Sequence, residues 1–302
     1  MAYLMIAFAA TMWGLIGFFV KGLSEIGYSA MEIVTIRVGT AAIMLLIVGL
    51  SFFRAQLKIK FRDVPLFIGT GLLSIVFFNW CYFTAIEKTN IPVAAALLYT
   101  SPAFVITLSV LFLKEKLNFR KLLAVGGTII GSALVAEITL TQGSSFSFSS
   151  IFIGLGAGLG YALYSIFGKV ALRTYHPFAL TFYTFLTAAL FLVPSFIGKP
   201  HTNLLFQPEV FLYAVGLGLV PTVLAYFAYS WGLEQVESSR AAIIATVEPV
   251  AATILGVMVY LEKISFIQGM GIVLILASVI LVNLPKGKYR IKNKNHEKSA
   301  PS

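Results

Sequence analysis

Long, uninterrupted apolar runs constrain the fold of this chain more than any other feature of its sequence. Ten stretches of about twenty residues can be drawn, each long enough for an α-helix to cross a hydrocarbon core of about 30 Å. Of the 302 residues, 59% are hydrophobic and only 11% are charged. A soluble domain typically carries about twice that charged fraction or more. Strands of a membrane barrel would alternate apolar and polar residues, so continuous runs indicate helices.

We therefore predict an all-α membrane protein with ten transmembrane helices. The predicted spans are Ala2–Val20, Ser29–Leu50, Val64–Ala85, Pro92–Leu113, Phe119–Glu137, Ile151–Gly168, Pro177–Ile197, Pro208–Gly232, Ser238–Tyr260 and Ser265–Leu284. The N-terminal residues lack the basic segment of a signal peptide, so the first span is expected to be retained.

Lysine and arginine are distributed unequally between the two sets of connections. With the N-terminus in the cytoplasm, cytoplasmic segments hold 17 Lys and Arg residues and the opposite loops hold four, while Arg37 lies within a span. Cytoplasmic loops of membrane proteins are enriched in these residues. The asymmetry predicts a multi-pass protein of the cell membrane with both termini in the cytoplasm. It accounts for the net charge of +10 without a nucleic-acid partner, and the basic tail is suited to contact anionic membrane lipids.

The two halves of the chain repeat each other at an offset of about 147 residues. Matching pairs include Tyr82 and Tyr229, Pro102 and Pro249, and Glu115-Lys116 and Glu262-Lys263. Each half holds five spans, an odd number, so the second copy is predicted to be inverted in the membrane. Inverted repeats with broken helices near the midplane are typical of secondary transporters. We predict a first repeat at 1–138, a polar linker at 139–150, a second repeat at 151–284 and a basic tail at 285–302.

Three segments of the chain resemble those of a known family of membrane proteins. They are Trp13-Gly14, the stretch NWCYFTAIEKTNIPVAAALLYTSPAFVITLSVLFLKEKL at 79–117, and the stretch AYSWGLEQVESSRAAIIATVEPVAATILGVMVYLEKI at 228–264. The chain resembles the EamA-type branch of the drug/metabolite transporter superfamily over nearly its whole length. The resemblance implies ten helices in two inverted five-helix repeats, a cavity lined by spans 1, 3, 4, 6, 8 and 9, and movement of small metabolites, often amino acids or their relatives and frequently outward.

Glu248 is the most informative single residue, because an ionisable group near the middle of a span is costly unless it faces protein or water. A carboxylate there favours a role in binding a substrate or a proton. The alternative is structural, with a protonated Glu248 donating to backbone freed by Pro249 or to a neighbouring helix. At the matching position in the first repeat the residue is Ser101. Pro102, Pro221 and Pro249 lie inside spans and predict kinks.

Aromatic and polar side chains on several spans indicate a cavity suited to an amine, an amino acid or a flat aromatic molecule. Ordinary packing and interfacial belts are the alternative for each aromatic residue. Arg37 is the other charge within a span; it could reach outward, pair with Glu32 or Glu248, or bind a substrate carboxylate. The candidate substrate-binding residues are Trp13, Arg37, Asn79, Tyr82, Tyr99, Ser101, Tyr161, Tyr229 and Glu248.

Other functional classes find little support in the sequence. Nucleotide-binding, zinc-protease and nucleophile-elbow motifs are absent, so an enzyme is not expected, and neither cofactor nor metal is indicated. Cys81 is the single cysteine, and Gly154, Gly156, Gly158 and Gly160 suggest close helix packing rather than a phosphate loop.

The sequence favours a secondary transporter that moves a small metabolite, an amino acid or related amine, by alternating access. Export is the favoured direction, and protons are the candidate coupling ion. Two alternatives remain: uptake of a cationic amine, and a membrane sensor or lipid-handling protein that does not transport.

The topology can be tested with an impermeant thiol reagent on intact cells. With Cys81 replaced, a single cysteine at Ser144 should be labelled, because the linker is expected outside the cell. A single cysteine at Lys58 should stay unlabelled, because its loop is expected in the cytoplasm. The reverse pattern, or labelling of both positions, would contradict the ten-span topology.

Overall fold

The computed structural model describes residues 1–137, 147–198, 200–261 and 263–284, and the regular structure in these ranges is helical throughout. Within the described chain, nine segments are long and apolar enough to cross a membrane. The predicted all-α membrane fold is confirmed.

The first half contains the helices α1 (Ala2–Gly14), α2 (Ile16–Glu25), α3 (Ala30–Phe52), α4 (Val64–Ile68), α5 (Phe77–Lys88), α6 (Ile91–Leu98), α7 (Ser101–Leu113) and α8 (Phe119–Val135). The second half contains α9 (Phe148–Ala171), α10 (Pro177–Phe196), α11 (Pro208–Gly218), α12 (Ala225–Gln235), α13 (Ser238–Ala245), α14 (Val247–Tyr260) and α15 (Phe266–Asn283). Two π-helical stretches, Gly69–Val76 and Leu219–Leu224, join α4 to α5 and α11 to α12. Short 3-10 turns occupy Phe61–Asp63 and Pro200–Phe206.

The fifth predicted span, Phe119–Glu137, is the one that lies outside the nine. Its helix, α8, has 17 residues and is about 25 Å long at the usual rise, which is short for a membrane span. It packs against α15, and the two backbones approach at glycines: a Cβ added to Gly271 would lie 2.6 Å from the carbonyl oxygen of Gly131. With this packing, α8 joins the nine longer segments in the bundle of the described chain.

The boundary between the halves differs from the sequence-based expectation. The helix α9 begins at Phe148, and the Ser147 hydroxyl accepts a hydrogen bond from the backbone N–H of Ser150 at 3.3 Å. The span therefore starts three residues before Ile151, and the linker predicted for 139–150 is shorter at that end. Residues 138–146 and the basic tail at 285–302 lie outside the described ranges.

Backbone features recur between the halves at the offset of 147 residues. The helices α7 and α14 are each followed by a left-handed residue, Lys114 with φ 58° and Leu261 with φ 55°. The preceding break also recurs: α6 gives way to α7 at Tyr99-Thr100, and α13 gives way to α14 at Thr246. The two halves thus place a broken helix at equivalent positions.

All three prolines predicted to kink helices lie at irregular points. Pro102 and Pro249 fall within the first three residues of α7 and α14, and Pro221 lies in the π-helical stretch after α11. Because proline has no N–H, it is tolerated in the first turn of a helix and disrupts a helix interior. The sequence did not indicate the break at Leu15 between α1 and α2 or the π-helical stretch before α5, neither of which contains a proline.

Glycines bring α9 close to two helices of the first half. A Cβ on Gly158 would lie 3.0 Å from the carbonyl oxygen of Leu97 in α6, and a Cβ on Gly160 would lie 3.0 Å from the Cα of Phe78 in α5. Small residues allow such close approach between membrane helices. The predicted packing role of the α9 glycines is confirmed.

The outer surface of the bundle is apolar, whereas polar side chains pair between helices. Leu190, Leu212 and Val273 are 69%, 72% and 67% exposed. Inside, the Thr184 hydroxyl of α10 donates to the Thr70 hydroxyl at 2.7 Å. This distribution suits a bilayer, where polar groups need internal partners and the outward face meets hydrocarbon.

Ion pairs join the halves at the end of the bundle that carries the Lys- and Arg-rich connections. Glu115, between α7 and α8, accepts hydrogen bonds from the backbone N–H groups of Ser238 (2.6 Å) and Ser239 (3.2 Å) at the start of α13. The Lys121 Nζ lies 3.5 Å from the Glu115 carboxylate and 3.2 Å from the Glu237 carboxylate. We call Glu115, Lys121 and Glu237 the ion cluster. A carboxylate at a helix N-terminus is favourable, so Glu115 stabilises both α13 and the contact between the halves.

Close packing of α9 can be tested by adding a methyl group. In Gly158→Ala the new Cβ would lie 2.8 Å from the Thr100 hydroxyl and 3.0 Å from the Leu97 carbonyl oxygen, which should cost about 1–3 kcal/mol through overpacking. Gly126→Ala in α8 is the matched control, because nothing lies within 4 Å of its Cβ. We expect a lower Tm in detergent for Gly158→Ala only. Equal Tm values would contradict the tight contact.

Candidate functional site

An aromatic cluster surrounds Trp13 in the middle of the bundle. The Trp13 ring centroid lies 5.1 Å from the Tyr226 ring, 5.1 Å from the Tyr229 ring and 6.0 Å from the Tyr161 ring. These residues come from α1, α9 and α12, so both halves contribute to the cluster. Edge-to-face and tilted pairs at these spacings are favourable, at about 0.5–1.5 kcal/mol each beyond burial.

The cluster forms the wall of a small cavity. Its volume is about 10 Å³, which is room for about one water molecule. The lining residues are Trp13, Ser74, Phe78, Tyr161, Tyr164, Ser165, Tyr226 and Tyr229. A metabolite of several heavy atoms exceeds this volume, so the helices around the cavity have to separate before such a molecule can enter.

Hydrogen bonds fix the orientation of two tyrosines in the wall. The hydroxyls of Tyr229 and Ser165 lie 2.7 Å apart, and those of Tyr164 and Ser230 lie 2.8 Å apart. Buried tyrosine hydroxyls require such partners. By contrast, the Trp13 Nε1 has no hydrogen-bond partner within the described chain. The indole N–H is therefore a donor available at the cavity.

The position of Trp13 depends on its neighbour Gly14. A Cβ on Gly14 would lie 2.8 Å from the Cβ of Ala251 and 2.9 Å from the backbone nitrogen of Ala252. The absence of a side chain lets α1 approach the backbone of α14. Glu248 precedes Ala252 by about one helical turn. The contact between Gly14 and Ala252 therefore brings the Glu248 carboxyl group close to the aromatic cluster around Trp13.

Glu248 lies in the first turn of α14, directly after the break at Thr246. The Tyr161 hydroxyl donates to the Glu248 Oε2 at 3.3 Å. The Tyr99 hydroxyl interacts with the same carboxylate, and Tyr99 occupies the break between α6 and α7. The carboxyl group therefore interacts with a residue at the break of the first half, and the hydrogen bond found for it in the described chain comes from a tyrosine hydroxyl.

Arg37 is enclosed within the bundle, with only 5% of its surface exposed. The suggestion that it reaches outward to the interface is therefore wrong. It interacts electrostatically with Tyr226 and Glu248, while its Nε and Nη2 atoms have no hydrogen-bond partner in the described ranges. Glu32 accepts hydrogen bonds from the backbone and hydroxyl of Ser29 at 2.9 and 2.8 Å and so caps α3.

The structure brings together some of the predicted site residues and separates others. Trp13, Tyr161 and Tyr229 line the cavity. Tyr82 lies behind the cavity wall, and its ring stacks on the lining ring of Phe78 with the centroids 6.0 Å apart.

Five other predicted residues are also absent from the cavity lining: Arg37, Asn79, Tyr99, Ser101 and Glu248. The Asn79 side-chain amide donates to the Ile75 carbonyl of its own helical segment at 2.7 Å, so it is engaged elsewhere. Ser101 is buried at the start of α7, just after the first break. Trp80, the neighbour of Asn79 in α5, is 51% exposed on the outer surface.

The sequence-based candidates omit five residues of the cavity wall. Two are Tyr164 and Tyr226, three residues from Tyr161 and Tyr229, and the other three are Ser74, Phe78 and Ser165. A signal for them was present in the helical spacing, since residues four apart share a helix face. Ser74 and Phe78 precede Tyr82 at intervals of four, and Ser165 follows Tyr161 by four. Within the described residues, no group of three or more His, Cys, Asp or Glu side chains is placed to hold a metal ion.

Comparison with known proteins gives consistent results along the chain. The model of the EamA-like transporter family matches residues 1–136 and again residues 148–284. An uncharacterized transporter of Archaeoglobus fulgidus is 32% identical over 84% of this chain and 95% of its own length. The uncharacterized transporter YwfM of Bacillus subtilis is 25% identical over 97% of each chain.

The fold also matches that of a protein solved by crystallography. The TM-score is 0.78, with 16% identity, over 93% of this chain and 96% of the other. At that identity the likeness concerns the fold alone, whereas the family model and the Archaeoglobus relative cover most of the sequence. This chain belongs to the EamA-like transporter family, and it is a multi-pass membrane transporter.

Proposed function

We propose that the protein is a secondary transporter that moves an amino acid or related amine across the cell membrane by alternating access, with export as its direction. The observation that carries the proposal is the meeting of two broken helices at Glu248, beside an aromatic cavity to which both halves contribute. Broken helices around a site near the midplane are the recurring arrangement of secondary transporters.

The chemistry of the site suits an amine. Glu248 provides a carboxylate for an ammonium group. The Tyr161 hydroxyl donates to it at 3.3 Å, and Tyr99 interacts with it electrostatically. The rings of Trp13, Tyr226 and Tyr229 supply π-faces. A cation over such a face gains about 0.5–2 kcal/mol per good contact.

Alternating access would use the breaks as hinges. The cavity is closed to about 10 Å³ in this conformation, and the ion cluster joins the halves at one end of the bundle. Separating the halves at either end would open the cavity to that side. Protons are proposed as the coupling ion, since Glu248 is an ionisable group that a proton and a cationic substrate could occupy in turn.

Uptake of a cationic amine is the second candidate, and the same carboxylate and aromatic rings support it. A transporter for cationic amines would not need Arg37 to bind its substrate. A role as a sensor or lipid-handling protein is less favoured, because the family model and relatives point to transport. Both termini are proposed to be cytoplasmic, from the Lys and Arg asymmetry.

The aromatic wall can be tested once a screen of amino acids, amines and nucleosides by thermal shift has identified a ligand. Alanine at Trp13, Tyr161 or Tyr229, which line the cavity, or at Tyr82, which stacks on the lining ring of Phe78, should weaken its binding by about 3- to 10-fold. Each substitution removes a ring that lines the cavity or supports its wall. Trp80→Ala is the matched control, since this ring is exposed on the outer surface. Lower Tm with unchanged affinity in all four variants would identify them as packing residues.

The role of Glu248 can be tested by Glu248→Gln, which keeps the shape and hydrogen-bonding ability but cannot ionise. We expect this variant to fold normally and to lose transport or the pH dependence of transport in proteoliposomes. Glu209→Gln is the control, because Glu209 is an exposed acid at the start of α11. A wild-type rate and pH profile in Glu248→Gln would leave Glu248 with a structural role only.

A further inference from the structure

Arg37 is a buried cation with unused hydrogen-bonding capacity beside the cavity wall. Its exposed fraction is 5%, and its Nε and Nη2 atoms find no partner in the described chain. It interacts electrostatically with Tyr226, a residue of the wall, and with Glu248. A guanidinium held inside a membrane protein with unmet donors is costly, and such residues commonly mark a functional site.

Two other cations within the bundle show how a structural cation is satisfied in this protein. The Lys121 Nζ is met by two carboxylates and donates to the Lys116 carbonyl at 3.0 Å. The Lys169 Nζ donates to three carbonyl oxygens at the end of α12, at 2.7 to 3.1 Å. In the described ranges, the Nε and Nη2 atoms of Arg37 have no such carboxylate or carbonyl partners, unlike the Nζ atoms of these two lysines.

A second unmet donor lies on the cavity itself, whereas Arg37 lies outside its lining. Trp13 is 5% exposed, lines the cavity, and has no hydrogen-bond partner for its Nε1 within the described chain. Both residues meet Tyr226, Trp13 by ring contact at 5.1 Å and Arg37 electrostatically, and their unmet polar atoms are N–H groups from α1 and α3. Their natural complement is an oxygen acceptor, and the planar fork of a guanidinium matches a carboxylate with two parallel hydrogen bonds.

We propose that Arg37 and Trp13 form an anion subsite at the cavity wall, and that the transported molecule is a zwitterion whose carboxylate binds Arg37 while its ammonium faces Glu248. This proposal rests on the proposed function of the cavity as the transport site. With Glu248 ionised, its negative charge balances the positive charge of Arg37 in the unloaded site. A zwitterion preserves that balance. A simple amine would add an unbalanced positive charge near Arg37, where the low dielectric makes repulsion strong.

The test uses matched trios of probes on the full-length protein: an amino acid, its decarboxylated amine and its deaminated acid, each built on the leucine, phenylalanine and lysine side chains. Affinities are measured by thermal shift and transport in proteoliposomes. For the trio that binds, wild-type protein should prefer the amino acid over the amine by at least about 10-fold, as expected for hydrogen bonds to a charged group.

Arg37→Gln should reduce that preference to within about 3-fold, since the carboxylate loses its partner. Arg37→Lys, which keeps the charge but not the fork, should give an intermediate value. Lys121→Gln is the matched control: it also removes a buried cation, and it should lower Tm while leaving the preference unchanged. If Arg37→Gln does not fold, Arg37→Lys and the wild-type ranking decide the question.

The outcomes separate this inference from the proposed function. Equal wild-type affinity for amine and amino acid, or an unchanged preference in the Arg37 variants, would overturn the anion subsite while leaving an amine transporter in place. If no member of any trio binds or is transported, the proposed function and the subsite both fail.

Discussion

The carboxyl group of Glu248, which accepts from Tyr161 and interacts with Tyr99, is a constraint that the surrounding helices have to satisfy. An ionisable group in the interior of a membrane protein must face protein or water, so the helices around it have to present polar atoms. Tyr99 and Tyr161 do so from the first and second halves. Their positions require the break between α6 and α7 and the close approach of α9, which its glycines permit.

The same requirement explains why both halves carry a broken helix. Residues at a break leave backbone groups without partners in the helix, and such backbone is tolerated at membrane depth only where protein or a cavity surrounds it. The breaks at Tyr99-Thr100 and Thr246 therefore belong in the interior, where the tyrosines and Glu248 lie. The π-helical stretches are also next to the cavity: Ser74 lies in one of them and Tyr226 closely follows the other. Such wide turns often occur at functional sites of membrane and soluble proteins.

Much of the fold could be predicted because the bilayer imposes simple rules on sequence. Apolar length located the spans, and the recurrence of Pro102 and Pro249 located the breaks. The break at Leu15 and the π-helical Gly69–Val76 were not predictable in this way, since both arise from packing and leave no proline in the sequence.

The site was predicted less completely than the fold. Residue type pointed to Trp13, Tyr161 and Glu248, which do lie together. It could not show that Asn79 bonds to its own helix or that Trp80 faces outward, because both depend on the rotation of α5 about its axis. Arg37 could not be placed from sequence either, since reaching the interface and lying inside the bundle differ only in side-chain direction.

The ion cluster has a consequence for how the two sides of the membrane are treated. Its central cation, Lys121, corresponds at the offset of 147 residues to Gln268, which is neutral and forms a capping box with Ser265. The same cluster therefore cannot form at the opposite end, although the backbone there follows the same plan. Under the proposed alternating access, the ion cluster would favour closure of the Lys- and Arg-rich end over closure of the opposite end. In that mechanism the resting orientation of the empty protein would depend on side chains outside the cavity and not on the substrate.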